Sequence, residues 1–127
     1  MIDGHANCIA AWSGFLAGAL SGLAAGVFFH DPHWQGGYDS WRRRLLRLGH
    51  IACFGLGLLN LAFVATLPHL PAQPSTTLAS WLLIAALATM TPACWLTAFL
   101  PAARNAFAIP VGCVAAGTTS VLVGLLA

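Results

Sequence analysis

Residues 42–67 read RRRLLRLGHIACFGLGLLNLAFVATL, and this stretch decides the fold class. Four arginines lie within its first six positions, and the residues from Leu48 to Leu67 include no Asp, Glu, Lys or Arg. A helix needs about 20 mainly apolar residues to cross the ~30 Å hydrocarbon layer of a membrane. The stretch therefore predicts a transmembrane helix that is flanked on one side by basic residues.

Three further apolar runs occur, over residues 9–29, 78–100 and 106–127, and the helix of the first stretch is expected over 41–67. Each run is expected to be helical, because unpaired backbone groups are too costly in lipid. Only 6% of the 127 residues are charged, whereas soluble domains have about 25% charged residues. We therefore predict an all-α integral membrane protein: a single domain, 1–127, folded as a bundle of four transmembrane helices with short loops.

The basic residues predict how this bundle crosses the membrane. The chain contains no Lys, and its arginines all lie in the two connections that share one side: Arg42, Arg43, Arg44, Arg47 and Arg104. The positive-inside rule makes this the inner side and places both termini outside. We expect a multi-pass protein of the bacterial inner (cytoplasmic) membrane whose arginines also contact lipid headgroups. Because the net charge of +2 comes from one local cluster, nucleic acid is not an expected partner.

Small residues recur every four positions in the first and last helices. Gly14, Gly18, Gly22 and Gly26 share one face of helix one, and helix four repeats the spacing with Gly112, Ala116, Ser120 and Gly124. Such a face lets another helix approach closely, and van der Waals contact then drives association in lipid. Two interpretations stay open: packing within this chain's own bundle, or docking faces for partner subunits.

Helix two has a polar stripe. His50, Cys53, Gly57 and Asn60 follow +3, +4 and +3 spacing and so share one face. Polar groups within hydrocarbon normally face the protein interior or a cavity. One interpretation is a cofactor site in which His50 binds a haem, a metal, a chlorophyll-type pigment or a quinone. The other is interhelical hydrogen bonding, worth about 1 kcal/mol in membranes.

Metal binding and catalysis have weaker support in the sequence. Three cysteines are expected at a depth similar to that of His50: Cys53, Cys94 and Cys113. Thiolate and imidazole are the usual ligands of zinc or copper(I). The spacing of these residues matches no metal motif, so no metal site is predicted.

The acids, Asp3, Asp31 and Asp39, all lie in surface segments. No catalytic set is therefore expected within the membrane, and we predict that the protein is not an enzyme.

Three hypotheses for function follow. The first is a non-catalytic accessory or structural subunit of a larger membrane complex, with respiratory or photosynthetic electron transfer as the class of assembly. The second is a haem- or pigment-binding membrane protein that uses His50. The third is a small channel or transporter that acts as an oligomer, with Asn60 and His50 along the path.

Overall fold

A computed structural model describes residues 4–127 and confirms the predicted fold class. It contains four long helices: α1 (His5–Val27), α2 (Trp41–Thr66), α3 (Pro74–Phe99) and α4 (Ala108–Leu126). Short 3₁₀ segments, Trp34–Gly36, Leu67–His69 and Pro101–Phe107, lie in the three connections. All four helices are long and apolar enough to cross a membrane, so the fold is that of a multi-pass membrane protein.

The helices pack mainly against their neighbours in the chain. Extensive contacts join α1 to α2, α2 to α3 and α3 to α4, whereas α1 and α3 touch over a smaller area. α4 has no comparable contact with α1 or α2. We call the end with the α1–α2 and α3–α4 connections the arginine end, and the opposite end the terminal end. The orientation of these two ends across the membrane is predicted from the arginines alone.

Local sequence explains where the helices begin. α2 begins at Trp41, as predicted, and the hydroxyl of the preceding Ser40 accepts a hydrogen bond from the backbone N–H of Arg43 at 3.2 Å. α3 begins at Pro74, four residues before the predicted apolar run and without a Ser or Thr cap, because Pro is well tolerated in the first turn of a helix. α1 begins at His5 rather than residue 9, and this extension brings the polar Asn7 into the helix.

Large apolar side chains cover the outside of the protein, and small or polar ones fill much of the inside. Trp12 and Leu23 are each 68% exposed and Leu126 is 79% exposed. The tightest apolar cluster is formed by Phe63, Ala79 and Leu83, between α2 and α3. This inverted distribution suits contact with lipid, where an apolar surface carries no penalty and close helix packing relies on small residues.

Candidate functional site

The glycine stripe of α1 lies against α2 over most of its length. A Cβ added at Gly14 would lie 3.1 Å from the backbone oxygen of Cys53 and equally close to Leu87. At Gly18 it would lie 2.6 Å from the Phe54 ring, and at Gly22 it would lie 2.5 Å from Cε1 of His50. The first three glycines of the stripe therefore pack within this chain.

Gly26, the last glycine of the stripe, behaves differently. It is exposed, and an added Cβ would meet nothing within 4 Å. The groove between α1 and α2 thus widens toward the arginine end. A cavity of about 330 Å³ occupies the widened part, and we call it the α1–α2 cavity. Its lining includes three basic or imidazole side chains and two aromatic ones: Arg43, Arg47, His50, Phe29 and Trp34.

His50 forms the deep end of this cavity. Its Nδ1 lies 2.8 Å from the backbone oxygen of Gly18, and the Ser21 hydroxyl lies 3.2 Å from the same nitrogen. Since a carbonyl oxygen only accepts, Nδ1 carries the proton and donates it to Gly18. In the neutral ring the lone pair then resides on Nε2, which is the nitrogen that remains for a ligand.

Arg43 is buried beside the cavity, with 2% of its surface exposed. Its guanidinium donates to the backbone oxygens of Phe29, at 3.1 Å, and Asp31, at 3.5 Å. It also lies 4.6 Å from the ring centroid of Phe29, 5.6 Å from that of Trp34 and 5.4 Å from that of Tyr38. Arg43 therefore holds the α1–α2 connection against the start of α2 through carbonyls and aromatic faces.

The other arginines lie in different surroundings. Arg47, half-buried, donates to the backbone oxygen of Tyr38 at 3.3 Å and lies 4.5 Å from that ring's centroid. Arg44 is exposed and forms an ion pair with Asp39 at 3.7 Å. Arg42 lies 5.9 Å from the Phe99 ring centroid, and Arg104 is exposed in the turn before α4. Of the five, Arg43 and Arg47 are the two that line the α1–α2 cavity.

A second polar cluster lies toward the terminal end and joins α1, α2 and α3. Asn7 and Asn60 are fully buried and Ser80 is 4% exposed. The Asn7 amide donates to the Asn60 side-chain oxygen at 2.8 Å, and the Ser80 hydroxyl donates to the Asn7 oxygen at 2.6 Å. Asn60 in turn donates to the backbone oxygens of Leu56 and Leu83. We call these three side chains the asparagine cluster, and its hydrogen-bonding groups are satisfied within the chain.

The predicted polar stripe of α2 is divided between two neighbours. His50 faces α1, whereas the Cys53 thiol lies 3.1 Å from the Thr91 hydroxyl of α3, and that hydroxyl donates to the backbone oxygen of Gly49. Asn60 contacts both α1 and α3. Each polar member of the stripe thus takes part in an interhelical hydrogen bond. Among residues 4–127, no three His, Cys, Asp or Glu side chains are grouped to hold a metal, so the structure does not bring His50 together with Cys94 and Cys113.

The small-residue stripe of α4 does not face α3. Gly117 and Pro110 are the buried residues of α4, and Gly117 packs against Leu83. Gly112 and Ala116 are exposed, and an added Cβ at Gly112 would meet nothing within 4 Å. Ser120 bonds to the Ala116 backbone oxygen of its own helix, and Gly124 lies beside Leu70 of the α2–α3 connection. The stripe is therefore uncovered over its half nearer the arginine end.

Asn7 is not among the predicted site residues, because it lies before the first apolar run of residues 9–29. A signal was present, because Asn7, Ala11, Gly14 and Gly18 follow +4, +3 and +4 spacing and so continue the glycine face by two turns. No spacing pattern in the sequence indicates the partners of Arg43, since Trp34 and Tyr38 lie in an irregular connection. Gln35 there has a φ of 55°, which periodicity does not anticipate.

Comparisons with models of protein families, with curated proteins and with solved structures found no match for this chain.

Proposed function

We propose that this chain is a non-catalytic accessory subunit that packs against transmembrane helices of a larger membrane complex. The observation that carries the proposal is the uncovered stripe on α4. Small residues at four-residue spacing suit close contact between helices, yet Gly112 and Ala116 are both exposed, and an added Cβ at Gly112 would meet nothing within 4 Å among the described residues. The occupant that fits is a transmembrane helix of another subunit, because the small side chains of this face allow a second helix to approach closely.

The rest of α4 supports this assignment. In the apolar span that ends in α4, 11% of the residues are buried, against 39% in α3. α4 uses a different face, with Gly117 and Pro110, to pack on α3. Gly112 and Ala116 are therefore not explained by this packing. α1 supplies the internal precedent, because there the same spacing holds two helices together.

The polar side chains inside the membrane support a structural role. The side chains of Asn7, Asn60 and Ser80 form hydrogen bonds with one another and with backbone oxygens. Asn60 is fully buried, which gives no support to the third hypothesis of a channel lined by Asn60 and His50. We place the protein in the bacterial inner membrane on the distribution of its arginines, and electron-transfer complexes are the assemblies to test first.

The test is a crosslinking experiment on the full chain in its native membrane. A photoreactive side chain at position 112 or 116 is expected to capture one partner subunit, which also co-purifies stoichiometrically in mild detergent. Gly55, on α2, is the matched control position, since it is also an exposed helical glycine with nothing within 4 Å of an added Cβ. A wild-type chain that purifies alone, with no adduct at either α4 position, would overturn the proposal.

A second candidate, a haem- or pigment-binding role for His50, is favoured by one observation. The Gly18 carbonyl fixes the proton on Nδ1 and leaves Nε2 to bind, and metal-bound histidines commonly donate their other ring N–H to a carbonyl or carboxylate in the same way. However, the imidazole lies against α1 at Gly22, so a macrocycle on Nε2 would compete with α1 for space. A visible absorption band of the purified protein that disappears in His50→Ala would support this role, and a colourless wild-type protein would exclude it.

A further inference from the structure

Arg43 is a buried cation without an anionic partner in the described part of the chain. The two acids of the α1–α2 connection are engaged elsewhere, because the Asp31 carboxylate accepts from the backbone N–H of His33 and Asp39 pairs with Arg44. The Nε of Arg43 has no hydrogen-bond partner among residues 4–127. A buried charge is costly unless it is paired, and two carbonyls and three ring faces compensate Arg43 only in part.

A second cation lies on the same cavity. Arg47 follows Arg43 by one helical turn, and both side chains contact the Tyr38 ring. Both line the α1–α2 cavity, and no described carboxylate does. The cavity thus combines two guanidinium groups with aromatic walls, and guanidinium matches the geometry of phosphate oxygens.

The other wall of the cavity is apolar and open. Gly22, Ala25, Gly26 and Ile51 line it, and Ile51 is 61% exposed. The opening therefore lies on the lipid-facing surface between α1 and α2. Arg43 and Arg47 lie in the first two turns of α2, where lipid headgroups are expected, and the apolar wall runs from there toward His50. A ligand that fits has a phosphate at one end and a hydrocarbon chain at the other.

We propose that the α1–α2 cavity binds one anionic phospholipid, with its phosphate at Arg43 and Arg47 and an acyl chain along Gly26, Gly22 and Ile51. Gly26, at the widened end of the groove, leaves room for the chain. His50 closes the deep end and donates to Gly18 rather than to the phosphate. This site is independent of the α4 stripe and of the proposed subunit role.

The test measures lipid binding to the delipidated full-length protein by native mass spectrometry. Phosphatidylglycerol is titrated against phosphatidylcholine with the same acyl chains. We expect one phosphatidylglycerol to bind at least about tenfold more tightly than phosphatidylcholine, because both lipids carry a phosphate but the choline ammonium of phosphatidylcholine cancels its charge and is repelled by the two arginines. Equal binding of the two lipids would overturn the proposal.

Two variants with matched controls locate the site. Arg47→Gln is expected to weaken phosphatidylglycerol binding by about tenfold or more, and Arg47→Lys is expected to restore part of it. The control Arg44→Gln removes the same charge outside the cavity and should weaken phosphatidylglycerol binding only about fivefold, the general attraction of one surface charge.

Gly26→Leu should fill the opening and abolish tight binding, whereas Gly55→Leu should not. Equal losses in Arg47→Gln and Arg44→Gln, or undiminished binding in Gly26→Leu, would reduce the effect to surface electrostatics and overturn the site.

Inorganic phosphate and glycerol 3-phosphate distinguish a lipid from a soluble anion. If the acyl chain contributes, neither anion at millimolar concentration displaces phosphatidylglycerol. Displacement by either would show that a soluble phosphate suffices and would overturn the assignment to a lipid.

Discussion

α1 and α4 have the same small-residue spacing but use it differently. In α1, Gly14, Gly18 and Gly22 lie against α2 and α3, and the asparagine cluster adds hydrogen bonds to the same contact. In α4, Gly112 and Ala116 face away from α3. The comparison shows that a four-residue repeat of small residues predicts a helix contact without saying whether the partner belongs to the same chain. What decides this is the position of the neighbouring helices.

The largest loss of stability is expected at Gly14, where the α1 stripe lies against backbone and buried side-chain atoms. In Gly14→Leu the new side chain would meet the backbone oxygen of Cys53 and the buried Leu87, and neither can move aside without separating the helices. We expect a loss of about 3 kcal/mol in the free energy of unfolding, the upper part of the range for overpacking. Chemical denaturation in detergent measures it.

Gly26→Leu is the control for this substitution, since it lies on the same stripe with open space around it. Its stability should equal that of the wild type within about 0.5 kcal/mol. If Gly14→Leu were as stable as Gly26→Leu, the α1 stripe would not pack within the chain, and the contrast with α4 would disappear.

The next largest loss of stability is expected in the asparagine cluster, which has no counterpart on α4. Asn60→Leu removes the acceptor of the Asn7 amide and leaves buried polar groups with fewer partners. We expect a loss of about 1–2 kcal/mol, within the range for a broken interhelical hydrogen bond in a membrane protein. A double-mutant cycle with Asn7→Ala should show coupling between the two sites, and additive losses would mean that the Asn7–Asn60 bond contributes little.

The sequence was sufficient to predict the fold class, but not to predict what packs against each helix face. Apolar runs of transmembrane length predicted four helices, with α2 beginning at residue 41, because lipid leaves the backbone few alternatives. The stripes at Gly14 and Gly112 look alike in sequence, and only tertiary packing separates them. Arg43 is indistinguishable from Arg44 in the run RRR, yet one is buried under three aromatic rings and the other is exposed. The rotation of α2 about its axis decides between them.

A loss of stability similar to that of Asn60→Leu is expected on the packed face of α4. A Cβ at Gly117 would lie 3.0 Å from Cδ2 of Leu83, a side chain that is 1% exposed and has little room to move. We expect Gly117→Leu to lower the free energy of unfolding by about 1–2 kcal/mol, less than Gly14→Leu because no backbone atom is in the way. The same denaturation measurement applies, and an unchanged stability would mean that α4 does not pack on α3 through this face.

The smallest effect on the chain itself is expected at Gly112, five residues from Gly117 on the same helix. Gly112→Leu adds the same bulk where nothing lies within 4 Å, so the free energy of unfolding should change by less than about 0.5 kcal/mol. If α4 docks a partner subunit as proposed, Gly112→Leu should nevertheless release that subunit, since a Leu side chain keeps another helix from approaching closely. Destabilisation of the isolated chain would show that this face is already packed. A stable variant that keeps its partner would show that the partner helix lies elsewhere, and α4 would then differ from α1 only in facing lipid.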